Sequence, residues 1–333
     1  MFGRENEVNL FLNLLQERRW MILDAPLAAG KTSFLQAGIR PALDNSSRSW
    51  RSAYLSIGRE GWRHLAEALL NLTGTAADEA NLLKAEKLLH RQKPEELCAA
   101  LDPRMQYALI VDDVEGMMPE TLGKPDEFIE FIKCLAALSQ LKEYRIHVIV
   151  SLRSDFVADY QVLADKSGML PNSSSFYLSK PDRTFLKNAI VRPLALFNKT
   201  ISPILLERLL DELSTVSYPL LRLQYFMRLM WEKSKETSPV QLPLHYFELF
   251  GPVEQVVSRK ADQMLTQLDA EGVEHARRIF TALTRVDSKN RRTGRVLHFK
   301  ELCRESRLDH SSVSRVLDRF YIEKDDLLQI SED

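Results

Sequence analysis

The stretch Ile22-Leu23-Asp24-Ala25-Pro26-Leu27-Ala28-Ala29-Gly30-Lys31-Thr32-Ser33 decides how the rest of the chain is read. An apolar run of β character leads into a tight turn of small residues, and Gly-Lys-Thr then opens a helical pattern. That order suits phosphate binding, because successive backbone N–H groups and the positive end of a helix face the same anion. Lys31 is placed for the β- and γ-phosphates, and the Thr32 hydroxyl for a magnesium ion. Ala25, Ala28, Ala29, Gly30 and Ser33 complete the cradle. Ala25 stands where the pattern G-x-x-x-x-G-K-[ST] has its first glycine. An alanine is tolerated there only if the backbone keeps a negative φ.

A second element lies about eighty residues on, where Leu109-Ile110-Val111-Asp112-Asp113-Val114-Glu115 reads as a buried strand ending in acids. Asp112 would hold magnesium through water, and Asp113 or Glu115 would orient an attacking water. The next strand, Val148-Ile149-Val150-Ser151-Leu152-Arg153, brings a polar cluster to the same edge. Ligands of parallel sheets bind outside the carboxyl ends of the strands. Arg153 therefore reads either as a sensor of the γ-phosphate or as a surface arginine paired with Asp155.

Around these elements, short β-type runs alternate with helical stretches, the pattern of a parallel sheet covered by helices. Strands are expected at Trp20 to Asp24, Ser52 to Ile57, Tyr107 to Asp112, Arg145 to Leu152 and Ser175 to Leu178. Helices are expected at Glu5 to Arg18, Lys31 to Ile39, Trp62 to Leu72, Glu79 to Leu101 and Pro125 to Leu141. From Pro181 to about Lys235 the period is helical with no strand, and Pro203 and Pro219 sit near helix starts. Glu236 to Leu244 reads as a linker. A helix-turn-helix follows at His298 to Ser306 and Ser311 to Phe320, closed by a hairpin from Tyr321-Ile322 to Leu327–Ile330. Together these make a winged-helix pattern. The fold expected is α/β: a parallel-sheet nucleotide-binding domain over residues 1–180, a helical lid over 181–240 and a winged helix over 245–333.

Composition narrows the function classes. Of 333 residues, 45% are hydrophobic and 27% charged, the balance of a folded globular chain. Forty-five basic residues against 46 acidic ones leave a net charge of −1, which disfavours a chain built as a whole to coat nucleic acid. No apolar run approaches the ~20 residues of a membrane span. Cys98, Cys134 and Cys303 are far apart, and no two His or Cys residues stand at ligand spacing. A cytoplasmic location is expected, without contact with membrane.

Phe2-Gly3-Arg4-Glu5-Asn6-Glu7-Val8, ahead of the first strand, resembles the opening of STAND NTPases, signalling ATPases related to AAA+ proteins. The novel-STAND group is the nearest likeness. Gln36-Ala37-Gly38-Ile39-Arg40-Pro41, Ser151-Leu152-Arg153-Ser154-Asp155-Phe156, Tyr218-Pro219-Leu220-Leu221 and Phe250-Gly251-Pro252-Val253 extend the match along nearly the whole chain. The resemblance implies an ATP/ADP-operated switch that closes over ADP, opens with ATP and then forms homo-oligomers, often in bacterial conflict and antiviral systems. It also implies magnesium, slow hydrolysis, and effector and sensor domains or proteins outside this chain. Under it, Phe2 and Arg4 lie near the adenine, and Pro219 either packs on the base or simply starts a helix. The family's usual second glutamate is replaced here by Gly116.

A second reading is an AAA+ ATPase that loads onto nucleic acid, similar to origin-recognition proteins. Its support is a basic cluster from Lys289 to Arg319, nine basic residues against four acidic ones, with Arg292 and Arg315 among them. The expected wing residues Glu323, Asp325 and Asp326 are acidic, which turns the balance against DNA. His298 and His310 are the histidines available for a phosphate contact, and both read as surface residues.

Overall fold

A computed structural model describes residues 1–46, 49–57, 60–118, 125–168, 173–237 and 240–321. The first half follows the expected alternation. Helix α1 (Glu5–Glu17) precedes β1 (Trp20–Ala25). After the phosphate loop come α2 (Lys31–Ser33), a π-helical turn (Phe34–Ile39) and α3 (Arg40–Asp44) in one continuous run. The wide turn ends just before Pro41, whose ring nitrogen has no hydrogen to donate to the helix ladder. Then come β2 (Trp50–Ser56), α4 (Gly61–Thr73), α5 (Glu79–His90), α6 (Pro94–Cys98), β3 (Gln106–Asp112), α7 (Pro125–Gln140), β4 (Arg145–Arg153), α8 (Val157–Ser167) and β5 (Ser173–Tyr177).

The five strands form one all-parallel sheet in the order β2-β3-β4-β1-β5, so every carboxyl end lies along a single edge. Alternate side chains serve opposite faces. Leu109, Val111, Val148 and Val150 pack with Leu65, Leu69, Phe128 and Phe131 on one side. Met21, Leu23, Ile110 and Ile149 pack with Phe11, Leu15, Phe34 and Leu35 on the other. Phe11 is fully buried and meets Phe34 edge-on at 5.8 Å. Burial of such a ring contributes ~1.5–3 kcal/mol, so the helical run behind the phosphate loop is clamped to the sheet by packing.

Two expectations fail in this half and its continuation. The helix expected over Glu79 to Leu101 is broken: Gln92 takes φ 56° and Pro94 starts α6. Beyond the sheet lie α9 (Arg183–Leu196), β6 (Thr200–Ile201), α10 (Pro203–Thr215), α11 (Pro219–Thr237) and β7 (Gln241–Leu242). The helical stretch thus contains a strand after all, and the expected linker contains its parallel partner, Thr200 opposite Gln241 and Ile201 opposite Leu242.

The last part holds α12 (His245–Phe250), α13 (Val256–Leu265), α14 (Ala270–Ala282), the antiparallel strands β8 (Thr284–Val286) and β9 (Arg292–Gly294), then α15 (Phe299–Ser306) and α16 (His310–Tyr321). Ile279, Leu302, Val313, Val316 and Phe320 form its core. Arg307, at φ 54°, closes α15, and the Asp309 carboxylate accepts the Ser312 N–H at 2.7 Å to start α16. Tyr321 ends that helix, and the hairpin expected from residue 322 onward lies outside the described residues. The chain divides into two compact units, Met1–Leu221 with Pro239–Leu242 and Arg222–Ser238 with Pro243–Asp333, the division falling inside α11.

Candidate nucleotide site

The loop between β1 and α2 takes the shape its residues allow. Ala29 N–H donates to the Pro26 carbonyl at 3.1 Å, and Phe34 N–H to the Gly30 carbonyl at 2.8 Å. Ala25 stays in the extended strand with negative φ, which meets the condition for an alanine there. The left-handed backbone falls instead on Ala28, at φ 59°, and on Gly30, at φ 89°. A Cβ on Gly30 would also lie 3.1 Å from Leu220 Cδ1, so the tip of α11 sits directly against the loop. Pro219 precedes that leucine as the first residue of α11, where a missing N–H costs little.

Across from the loop, Asp112 ends β3 with its side chain fully buried. Its carboxylate is held by four donors. Thr32 Oγ1 and the Tyr54 hydroxyl donate to Oδ2 at 2.7 and 2.9 Å. Ser151 Oγ and the Asp113 N–H donate to Oδ1 at 2.5 and 3.0 Å. Burying a carboxylate is costly unless such donors replace the lost water.

Lys31 is 8% exposed and places Nζ 3.9 Å from Asp113 Oδ1 and 3.8 Å from Glu115 Oε1. Burial pushes the Glu115 carboxyl up to about 7, with Lys31 opposing the shift and Asp113 adding to it. Asp113 is also raised, by partial burial first and then by Asp112, against the pull of Lys31 and Arg153. Asp113 takes φ 55°, a conformation an aspartate tolerates better than most residues. Arg153 ends β4 opposite Ala25. It binds Asp155 at 2.6 and 3.1 Å, and its guanidinium lies 5.2 Å from the Phe156 ring centre. The pairing with Asp155 is therefore present, yet the side chain is only 11% exposed and its charge is felt by Asp113 and Glu115.

Phe2 and Arg4 form a separate cluster. Arg4 is 1% exposed, donates to Glu7 at 2.8 Å and to the Ser179 carbonyl at 2.7 Å, and stacks over Phe185 at 4.6 Å. Phe2 lies beneath Arg192, which pairs with Glu5. These contacts fasten the start of α1 to α9, and none of them reaches Asp112. In the carboxy-terminal unit the basic cluster is partly neutralised from within: Arg291 binds Asp287 at 2.6 Å, Arg295 binds Glu305 at 2.8 Å and Arg315 binds Asp269 at 3.0 Å. His310 packs its ring 4.3 Å from Phe299, and His298 is exposed at the start of α15.

The structure thus brings Lys31, Thr32, Asp112, Asp113 and Glu115 together, with Arg153 on the neighbouring strand end. Two members of the Asp112 cluster, Tyr54 and Ser151, escape sequence reasoning as functional residues. Ser151 lies in the strand-end motif already singled out, whereas Tyr54 has no local signal, since only the pairing of β2 with β3 brings it there.

No curated protein matches the sequence. Among solved structures, the Aeropyrum pernix ORC1 protein in complex with DNA is similar at TM-score 0.55 and 13% identity, covering 97% of this chain and 83% of that one. Drosophila ORC bound to DNA is similar at TM-score 0.52 and 13% identity, covering 96% and 79%. These likenesses concern the fold, an α/β P-loop ATPase core. The family model for Novel STAND NTPase 1 matches residues 1–333. With that match over the whole length, and a phosphate loop set against a buried acidic strand end, the chain belongs to the novel STAND NTPase 1 family.

Proposed function

We propose that this chain is a nucleotide-controlled switch that binds ATP or ADP with magnesium, hydrolyses ATP slowly and forms homo-oligomers in its ATP state. The observation that carries the reading is the 2.7 Å hydrogen bond from Thr32 to Asp112, which joins the phosphate loop to the acidic strand end with Lys31 alongside. Both side chains offer hard oxygen donors, the kind magnesium takes in small number beside phosphate oxygens, so the residues fit the ion. Among the described residues no group of three or more His, Cys, Asp or Glu side chains is set to hold a metal by itself.

Magnesium, when bound, neutralises charge developing on the phosphate oxygens. Lys31 binds the β- and γ-phosphates, and the loop N–H groups orient them. Thr32 and Asp112 would hold the metal. Glu115 or Asp113 positions the attacking water. The ionised form of Glu115, whose proton affinity burial raises, accepts a proton from that water as it adds to the γ-phosphorus and the bond to ADP breaks. Arg153 steadies the charge from the β4 side. Phe2, Arg4 and Pro219 surround the base, and the three modules 1–180, 181–240 and 245–333 respond to what is bound. The switch acts in cytoplasmic signalling in bacterial conflict or antiviral defence, with effector and sensor supplied outside this chain, a reading that the family resemblance supports. Among the described residues no helix is long and apolar enough to cross a membrane.

Binding of a fluorescent ATP or ADP by the wild type and by Lys31→Ala tests the core of this reading. The expected result is a loss of affinity of at least about tenfold, since several charge-assisted contacts go with the lysine. Equal affinity would overturn it.

A DNA-binding role is the second reading, favoured by the α15–α16 helix pair and by the DNA-bound state of both similar structures. Against it stand the ion pairs that occupy Arg291, Arg295 and Arg315. A salt-dependent shift with duplex DNA that disappears in Arg292→Glu and Arg315→Glu would promote it.

A further inference from the structure

Asp112 is fully buried, and a carboxylate offers about four lone-pair directions for hydrogen bonds. Four donors meet it, two on each oxygen. Three of them come from segments that any phosphate loop and acidic strand would bring along: the loop itself, the chain after the acid, and the next strand. The fourth, Tyr54, comes from the edge strand β2, on the far side of β3 from the loop strand. Its ring packs beside the cluster that includes Ile110 and Phe34, which fixes where the hydroxyl points. Gln36, on the helical run behind the loop, shares a hydrogen bond with the same phenol oxygen.

We infer that Tyr54 is a positioning residue for the magnesium site: its hydroxyl holds the Asp112 Oδ2 atom in the orientation that loading of the ion requires. This rests on the nucleotide reading above. The physical reason is geometric. Thr32 also donates to Oδ2, but its oxygen is the one that must face the metal. Without Tyr54 the outward carboxylate oxygen is held by that single, shared group. Ser151 and the Asp113 N–H hold only Oδ1. A carboxylate that loses a donor on one oxygen is freer to rotate, and an oxygen turned away from the cation binds it less well.

The test is binding of fluorescent ADP by the full chain, titrated with magnesium chloride and, separately, measured in EDTA. Wild type, Tyr54→Phe and Ser151→Ala are compared. Tyr54→Phe keeps the ring and its packing, so an unchanged thermal midpoint without nucleotide shows that the fold survives. The expected result is a rise of about tenfold in the magnesium needed for half-maximal enhancement of binding, the factor carried by one hydrogen bond to a charged group. Affinity in EDTA should match the wild type. Ser151→Ala should move the magnesium requirement in the same direction. An unchanged or lower magnesium requirement in Tyr54→Phe would overturn the assignment while leaving the nucleotide reading intact. If instead Lys31→Ala bound ADP as well as wild type did, the nucleotide reading would fail and take this assignment with it.

Discussion

A carboxyl group buried next to a second carboxyl holds its proton to higher pH, and Glu115 is in that position. It is 7% exposed, and its carboxyl sits at about 7, against an ordinary value of 4.5 in the unfolded chain. Between those values the folded protein holds a proton that the unfolded chain has released, so stability is full below about pH 4.5 and falls as pH rises through 7. The loss by pH 8 is about 3 kcal/mol for this one group. Glu115→Gln removes the charge and keeps the shape. Denaturant unfolding at pH 5 and pH 8 should show the variant more stable than wild type at pH 8, with the gap closing at pH 5. A gap that is the same at both pH values would contradict the assignment. The acids themselves are legible in the sequence because apolar residues run straight into them at Val111-Asp112. What holds Asp112 is less so: Tyr54 lies 58 residues away and meets it only once β2 pairs with β3. The alanine-rich loop is legible in outline, since Ala25 does keep negative φ, but nothing in the spacing marks Ala28 as the residue that turns left-handed.

At the scale of elements, the central strands are legible because each is apolar on both faces and needs no partner to be recognised. The breaks are less so. Lys93-Pro94 carried a local warning, since the residue before proline avoids the α region, yet the apolar period ran through it. Helix α8 leaves a weak trace because few of its side chains are fully buried: Tyr160, Leu163 and Ala164, with Val157 partly so. The two-residue strands β6 and β7 are too short to show a period at all. Helix α9 shows how a short polar signal fixes an element. Asp182 accepts the Phe185 N–H at 2.7 Å and so caps the helix that carries Phe185 and Arg192 to Arg4 and Phe2. Asp182→Ala should cost about 1 kcal/mol in denaturant unfolding, the usual effect of removing an N-cap. Asp182→Asn, which caps equally well, should restore most of it. Equal loss in both would mean that charge rather than capping is at work.

For the whole molecule, the relevant quantities are its charge balance and its division into two compact units. A net charge of −1 gives copies of the chain little long-range repulsion to overcome, so contacts exposed by a change of state can bring them together at ordinary ionic strength. For a nucleotide to drive such a change it must bind the two states with different affinity, and the γ-phosphate is the only group that distinguishes ATP from ADP. Lys31, Glu115 and Arg153 surround the place proposed for that group, and α11, whose tip touches Gly30, runs from one unit into the other. The expected outcome in sizing with light scattering is a larger mass with a non-hydrolysable ATP analogue than with ADP. Lys31→Ala should give one profile with both nucleotides. Raising the salt should change the wild-type difference little, because like-charge repulsion is not what the proposed switch would work against. Identical wild-type profiles with the two nucleotides would make the chain a static binder rather than a switch.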